Sequence, residues 1–305
     1  SENSSFRGGS GNVMLATGTT NAGNSGSIVI NTGSVQSEEA QSGNILLKVG
    51  NADGNNGGNI AFNAGKSQSD YGGSILLKSG NSQTLNSGKV VFSSANSGVE
   101  GSSGSIEIGS GTSNAGNSGS VLISSGYSNE GRGGNIDIIV GNSGSGAGGN
   151  LQAHAGNSIS GTGGGIDLRS GSSQDGSSGR VHIASGKSGS DSNSGSVTIE
   201  SGETRGVVSG TLRVSTGVSN NGAGGSIRFS VGKGGGENLG GNVHFNAGGS
   251  ESMSGGSINM FSGKSTSGSS GNIMFSTSNV GSQGASGSIL LATGTSQSGM
   301  SGSLS

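Results

Sequence analysis

The chain has 305 residues, 70 of them glycine, and contains no proline, cysteine or tryptophan. Without cysteine it has neither disulfides nor thiolate metal sites, and without proline and a three-residue glycine period it is not collagen. The formal charge of −2 is spread along the chain, so there is no basic patch for nucleic acid and no polybasic membrane anchor. The longest apolar runs, such as Val13–Ala16, are far shorter than the ~20 residues of a transmembrane helix, and we expect no membrane insertion.

Residues 1–9 precede a repeat, and we expect them to be a lead-in or a cap. From residue 10 to residue 305 one pattern recurs, Ser/Gly-Gly-x-Φ-x-Φ-x-small-Gly-x-Ser, in which Φ is apolar, followed by about four polar residues. We number its positions as columns from the first residue of each unit. Such constant columns are unexpected in a flexible linker, so the sequence predicts a single continuous, ordered repeat domain. The twenty units begin at residues 10, 25, 42, 57, 72, 87, 103, 118, 133, 148, 163, 178, 194, 209, 224, 240, 255, 270, 286 and 301.

Columns 4 and 6 are apolar in every unit that reaches them, and they alternate with columns 5 and 7. A period of two indicates a short strand, and a strand of one unit cannot bury its face alone. The sequence therefore predicts an all-β fold without helix, a β-solenoid of about twenty 15-residue units with columns 4, 6 and 8 facing inward. The predicted core contains Val13, Ile28, Ile45, Ile60, Ile75, Ile106, Ile123, Ile136, Ile166, Ile183, Ile227, Phe229, Ile258, Ile273 and Ile289.

Glycines in columns 2 and 9 bracket each predicted strand, where a corner needs positive φ or close backbone approach. Serine recurs in column 11, and stacked inward hydroxyls of this column could bond to one another. The representative corner glycines are Gly11, Gly26, Gly43, Gly58, Gly119, Gly195 and Gly287.

A longer period is also present, because Val49, Val140 and Val231 occupy column 8 at intervals of 91 residues. One explanation is duplication of a six-unit ancestor. The other is a wider three-sided solenoid with 45–46 residues per turn, in which Ser-initiated and Gly-initiated turns alternate.

Column 5 should face outward. In the first six units it is apolar, whereas from Glu107 to Asn259 it is mostly polar or charged. A continuous apolar outward column is a candidate assembly face, unless it is buried inside the protomer. Its members are Met14, Val29, Leu46, Leu76 and Val91.

Catalytic, cofactor and metal sites are not expected. His154, His182 and His244 lie in different units on outward columns, which is typical of solvated surface. Glu107, Asp137 and Asp167 would lie two coils apart, too far to share a calcium ion. We therefore expect no enzyme activity and no cofactor.

The segments Ser-Gly-Ser-Val-Leu-Ile-Ser-Ser-Gly (118–126) and Gly-Gly-Asn-Ile-Asp-Ile-Ile-Val-Gly (133–141) resemble the Gly/Ser/Asn-rich repeats of viral and phage fibres and of secreted microbial or algal surface filaments. The resemblance covers nearly the whole chain and implies a glycine-rich structural protein. Such a protein would self-assemble into a homo-oligomer or filament that is extracellular or at a cell or virion surface. The alternative is a binding module, an adhesin-like solenoid for ice or glycan.

Overall fold

A computed structural model of the chain describes residues 10–37, 39–54, 56–189, 192–206, 208–236, 238–281 and 283–305. In these ranges there is no helix and no β-strand, so the predicted β-solenoid is wrong in both forms, 15 and 45–46 residues per turn. By its internal contacts the chain divides into two halves, Ser1–Gln152 and Ala153–Ser305. The extended segments and turns described below occur in both halves. The predicted lead-in at residues 1–9 lies outside the described residues, and nothing tests the predicted single domain.

The physical reason for the correction is hydrogen bonding between backbones. A strand exists only when a second backbone pairs with it, at about 4.8 Å in a sheet. Within the described ranges, the only backbone–backbone hydrogen bonds join nearby residues across turns and loops, and none links columns 3–8 of different units. An alternating pattern indicates that one segment is extended. It does not show that a second segment lies beside it and forms hydrogen bonds with it.

The segment spanning columns 3–8 nevertheless keeps the alternation of an extended chain. Away from the first and last units, the column 4 side chains are 48–66% exposed, whereas the apolar side chains of column 5 are 75–85% exposed. The valines of column 8 are less exposed again, at 36–48%, and the large apolar side chains of column 6 are 51–77% exposed. Columns 4 and 8 therefore lie on the more shielded side of each segment, and column 6 lies there in most units, although none of these columns is buried.

The polar stretch after each segment is organised by a side-chain hydrogen bond. In the unit starting at 103, Ser113 Oγ in column 11 accepts the backbone N–H of Gly116 in column 14, at 3.0 Å. The same bond occurs in eleven units, all 15 residues long, with donor–acceptor distances of 2.8–3.0 Å. Serine stabilises turns in this way because its hydroxyl replaces a backbone acceptor. The expectation that these hydroxyls bond to one another is therefore wrong for these units.

Six of these loops are also closed at their ends by a backbone hydrogen bond between a column 2 glycine and a column 9 glycine. The N–H of Gly73 in column 2 donates to the C=O of Gly65 in column 9 of the preceding unit, at 2.9 Å. Equivalent bonds recur about 91 residues apart along the chain. The six pairs are Gly73–Gly65, Gly88–Gly80, Gly164–Gly156, Gly179–Gly171, Gly256–Gly248 and Gly271–Gly263.

Candidate assembly surfaces

The predicted core residues are exposed. No hydrophobic side chain in the part of the chain that the structure describes is buried, so the expectation of an internal core is not met by the single chain. The physical reason is the absence of paired neighbouring segments that would cover the shielded side. The exposed members of the predicted core are Val13, Ile28, Ile45, Ile60, Ile75, Ile106, Ile123, Ile136, Ile166, Ile183, Ile227, Phe229, Ile258, Ile273 and Ile289.

Apolar side chains of successive units nevertheless line a common space. An open cavity of about 400 Å³ is lined by Phe92 of one unit and by Ile106, Glu107 and Ile108 of the next. Phe92 and Ile108 in column 6 and Ile106 in column 4 therefore border an apolar gap between these two units that the single chain leaves unfilled. A gap of this kind can be covered by another apolar surface.

The predicted corner glycines of column 2 have a steric role. A Cβ added at Gly58 would lie 2.7 Å from Val49 Cγ1 in column 8 of the preceding unit, and one at Gly26 would lie 3.3 Å from Thr17 Cγ2. Gly43, Gly119, Gly195 and Gly287 face column 8 in the same way, at 3.4–3.5 Å. Gly11 is exposed. Close approach therefore accounts for glycine at Gly58 and, less strictly, at Gly26, whereas 3.4–3.5 Å is an ordinary van der Waals distance that does not require glycine. Positive φ explains none of them, because Gly23, Gly236 and Gly284 are the positive-φ glycines found in the described ranges.

Column 9 is different, because nothing in the single chain requires glycine there. Each of its seventeen glycines has open space where a Cβ would stand, and none has a positive φ. Gly126 and Gly141 are examples in adjacent units. No neighbour in the same chain would clash with a side chain in column 9. Glycine at these positions is consistent with close approach of another molecule.

The candidate assembly face in column 5 is also fully accessible. Met14, Val29, Leu46, Leu76 and Val91 are all exposed, which argues against their burial inside the protomer.

Further along column 5 the side chains are charged. Asp167 forms the ion pair found in the described part of the chain, with Arg169 at 2.7 Å, and both side chains remain largely in water. Such a pair adds little to stability.

The residues considered for catalysis or metal binding are not brought together. His154, His182 and His244 are exposed and lie in separate units, as do Glu107, Asp137 and Asp167. No group of three or more His, Cys, Asp or Glu that could hold a metal ion occurs among the described residues. The same residues contain no helix long and apolar enough to cross a membrane.

Two structural elements were missed by the reasoning from sequence, the serine-stabilised turn and the glycine–glycine closure. A signal for the turn was present, because glycine often follows the column 11 serine by three residues, as in Ser128–Gly131 and Ser173–Gly176. Glycine in columns 2 and 9 does not predict the closure, because units with and without it have both, but the closures follow the 91-residue period marked by Val49, Val140 and Val231.

No protein-family model, curated protein or solved structure was found to match the chain.

Proposed function

We propose that the chain is a structural protein that associates with copies of itself into a fibre or filament. The observation that supports the proposal is the regular exposure of apolar columns 4 and 6, with no buried side chain in the described ranges. Ordering a backbone costs roughly 1–2 kcal/mol per residue, and buried apolar surface is the main term that offsets this cost. For a chain that buries nothing internally to be ordered, an external surface has to cover these columns.

A second copy of the same chain is the occupant that fits best. Apolar columns with a repeat of 15 to 17 residues are matched in spacing by another chain with the same repeat. The open space beside the column 9 glycines would admit the backbone of such a neighbour. Placement outside the cell, or on a cell or virion surface, is part of the proposal and rests on the resemblance of the repeats to fibre and surface-filament repeats.

The test is the size and shape of the purified full chain, by sedimentation and electron microscopy. We expect fibres or oligomers well above the 28.9 kDa of one chain. The triple variant Ile60→Asp, Ile136→Asp, Ile227→Asp places three negative charges on column 4. It should raise the protein concentration at which half of the chains are assembled by at least tenfold, because each aspartate would have to be desolvated at the contact.

The matched control places the same charge on loop side chains that are more exposed and lie outside the columns. The triple variant Val99→Asp, Ile159→Asp, Leu239→Asp should leave assembly unchanged, because these side chains are 95–108% exposed and belong to no repeated apolar column. A wild-type chain that stays monomeric at high concentration would contradict the proposal and favour the alternative, a monomeric module that binds ice or glycan.

A further inference from the structure

The loops between consecutive extended segments are closed at their bases. At every junction between units, a Cβ added to the column 2 glycine would lie 2.5–3.6 Å from a side-chain atom of the preceding column 8 residue. Ser110 and Gly119, for example, meet in this way at 3.4 Å. The chain therefore leaves one extended segment and enters the next at nearly the same point, as in compact loops whose ends lie close together.

Each loop contains much more length than its base spans. The nine peptide units between Ser110 and Gly119 reach roughly 30 Å when they are extended. Residues whose Cβ atoms nearly touch have Cα atoms roughly 5–6 Å apart. Opening one loop therefore adds on the order of 25 Å to the chain.

Two kinds of hydrogen bond oppose the opening, and they divide the loops into classes. Six loops have both the serine bond and the glycine–glycine bond across the base, as where Ser67 bonds to Asp70 and Gly73 to Gly65. Five other loops have the serine bond alone. The doubly bonded loops occur as adjacent pairs about 91 residues apart, so the more resistant loops are distributed along the chain.

We infer that the loops store length, and that they open under tension and let the chain extend reversibly before its backbone is fully stretched. This mechanical function goes beyond self-association, because the bonds that close the loops lie within one chain. Each loop also lies within one of the two halves of the chain.

The position of the bonds supports this inference. Tension on two extended segments acts directly on the loop base between them, where the glycine–glycine bond lies. No described loop residue is buried, so opening breaks hydrogen bonds without exposing a core, and the loop can close again when tension is released. A loop that acts only as a spacer does not need contact between its ends.

Disulfide trapping tests whether the loop bases are closed. The pair Ser110→Cys, Gly119→Cys brings two Cβ atoms close to the roughly 3.5–4.5 Å of disulfides. The control pair Gly101→Cys, Ser110→Cys has the same spacing of nine residues but spans an extended segment. In dilute full-length chains we expect the first pair to oxidise at least tenfold faster within the chain, and equal rates overturn the inference.

Stretching one full-length chain, tethered by its two ends, tests whether the loops open. At low force we expect it to be shorter than a flexible chain of 305 residues and to gain the missing length in two stages. The doubly bonded loops should open last and add on the order of 150 Å, and relaxation should retrace the curve. A single featureless curve of a flexible chain overturns the inference.

Serine variants identify the second stage. Alanine at the serines of the doubly bonded loops should lower the force of this stage by roughly half, because one of the two bonds in each loop is lost. These serines are Ser67, Ser82, Ser158, Ser173, Ser250 and Ser265.

The matched control removes the serine bond from the singly bonded loops. Alanine at these positions should leave the force of the second stage unchanged, and an equal shift in both variants contradicts the inference. Neither measurement depends on self-association, so failure of the proposed function would be seen separately, in sedimentation. The control serines are Ser113, Ser128, Ser143, Ser219 and Ser296.

Discussion

The first six units and the ten units from 103 to 240 share a framework but differ in one column. Both regions have glycine in column 2, apolar side chains in columns 4 and 6, and serine-stabilised turns such as those at Ser67 and Ser128. Column 5 is apolar in the first region, as at Leu46, and mostly polar or charged in the second, as at Asp137 and Arg213.

The difference shows that column 5 is not needed to form the repeat. Beyond the first unit its side chains are the most exposed apolar groups of the extended segments in the first region, and exposed charged groups replace several of them in the second, while glycine in column 2 and apolar residues in columns 4 and 6 are kept. A position that varies on a constant framework is where contact specificity is expected. In this protein the first region exposes apolar side chains in column 5, and the second exposes mostly polar or charged ones.

The largest effect on assembly is expected when charged residues, as in the second region, are introduced into column 5 of the first region. The double variant Leu46→Glu, Leu76→Glu places carboxylates on the apolar assembly face and should dissociate assemblies, raising the concentration for half-assembly by at least tenfold. Sedimentation across a concentration series measures this change. The control variant Gln152→Glu, Thr198→Glu makes the same charge change in the polar region and should raise this concentration less. Equal increases for the two variants would show that column 5 of the first region has no special role in assembly.

A smaller effect is expected from the framework that the two regions share. The triple variant Gly111→Val, Gly126→Val, Gly141→Val adds side chains where the single chain leaves open space. We expect a severalfold loss of assembly with no change in the monomer, because the added groups would obstruct only an approaching neighbour. Sedimentation and circular dichroism of the dilute monomer measure the two properties.

The control for the glycine variant uses loop glycines that also face open space, Gly54, Gly98 and Gly144. Their replacement by valine should leave assembly intact. If both triple variants weaken assembly equally, column 9 has no particular role in contact between copies.

The smallest effect is expected from the turns. Ser128→Ala removes the acceptor for the N–H of Gly131, and a hydrogen bond of this kind contributes roughly 0.5–1.5 kcal/mol. Amide hydrogen exchange at Gly131 should accelerate by about two- to tenfold, because the local opening becomes less costly. Ser124→Ala, in column 7, should leave the rate at Gly131 unchanged, and an equal acceleration would show that the Ser128 bond is not responsible.

Reasoning from sequence recovered local features better than long-range ones. The alternation of columns 4 and 5 predicted which side of each segment is more shielded, because side chains of an extended chain alternate in direction. The close packing at Gly58 followed from a glycine that recurs in column 2. The predicted pairing of Ser113 with other serines is not found; its hydroxyl instead accepts the N–H of Gly116, three residues further along the same loop.

The β-solenoid and the buried core were wrong for a common reason. A ladder needs two backbones at hydrogen-bonding distance, and a residue such as Ile136 is buried only when another segment covers it. Periodicity is a property of one segment, whereas pairing and burial depend on its neighbours.

The sequence alone therefore determined the repeat, its columns and the alternating faces of each extended segment, because these depend on residue spacing within one unit. Only the tertiary structure decided that segments of the described residues do not pair, that Ile60 and its equivalents stay exposed, and that loops close through bonds such as Gly73–Gly65. These properties depend on distances between units, which the spacing of residues along the chain does not specify.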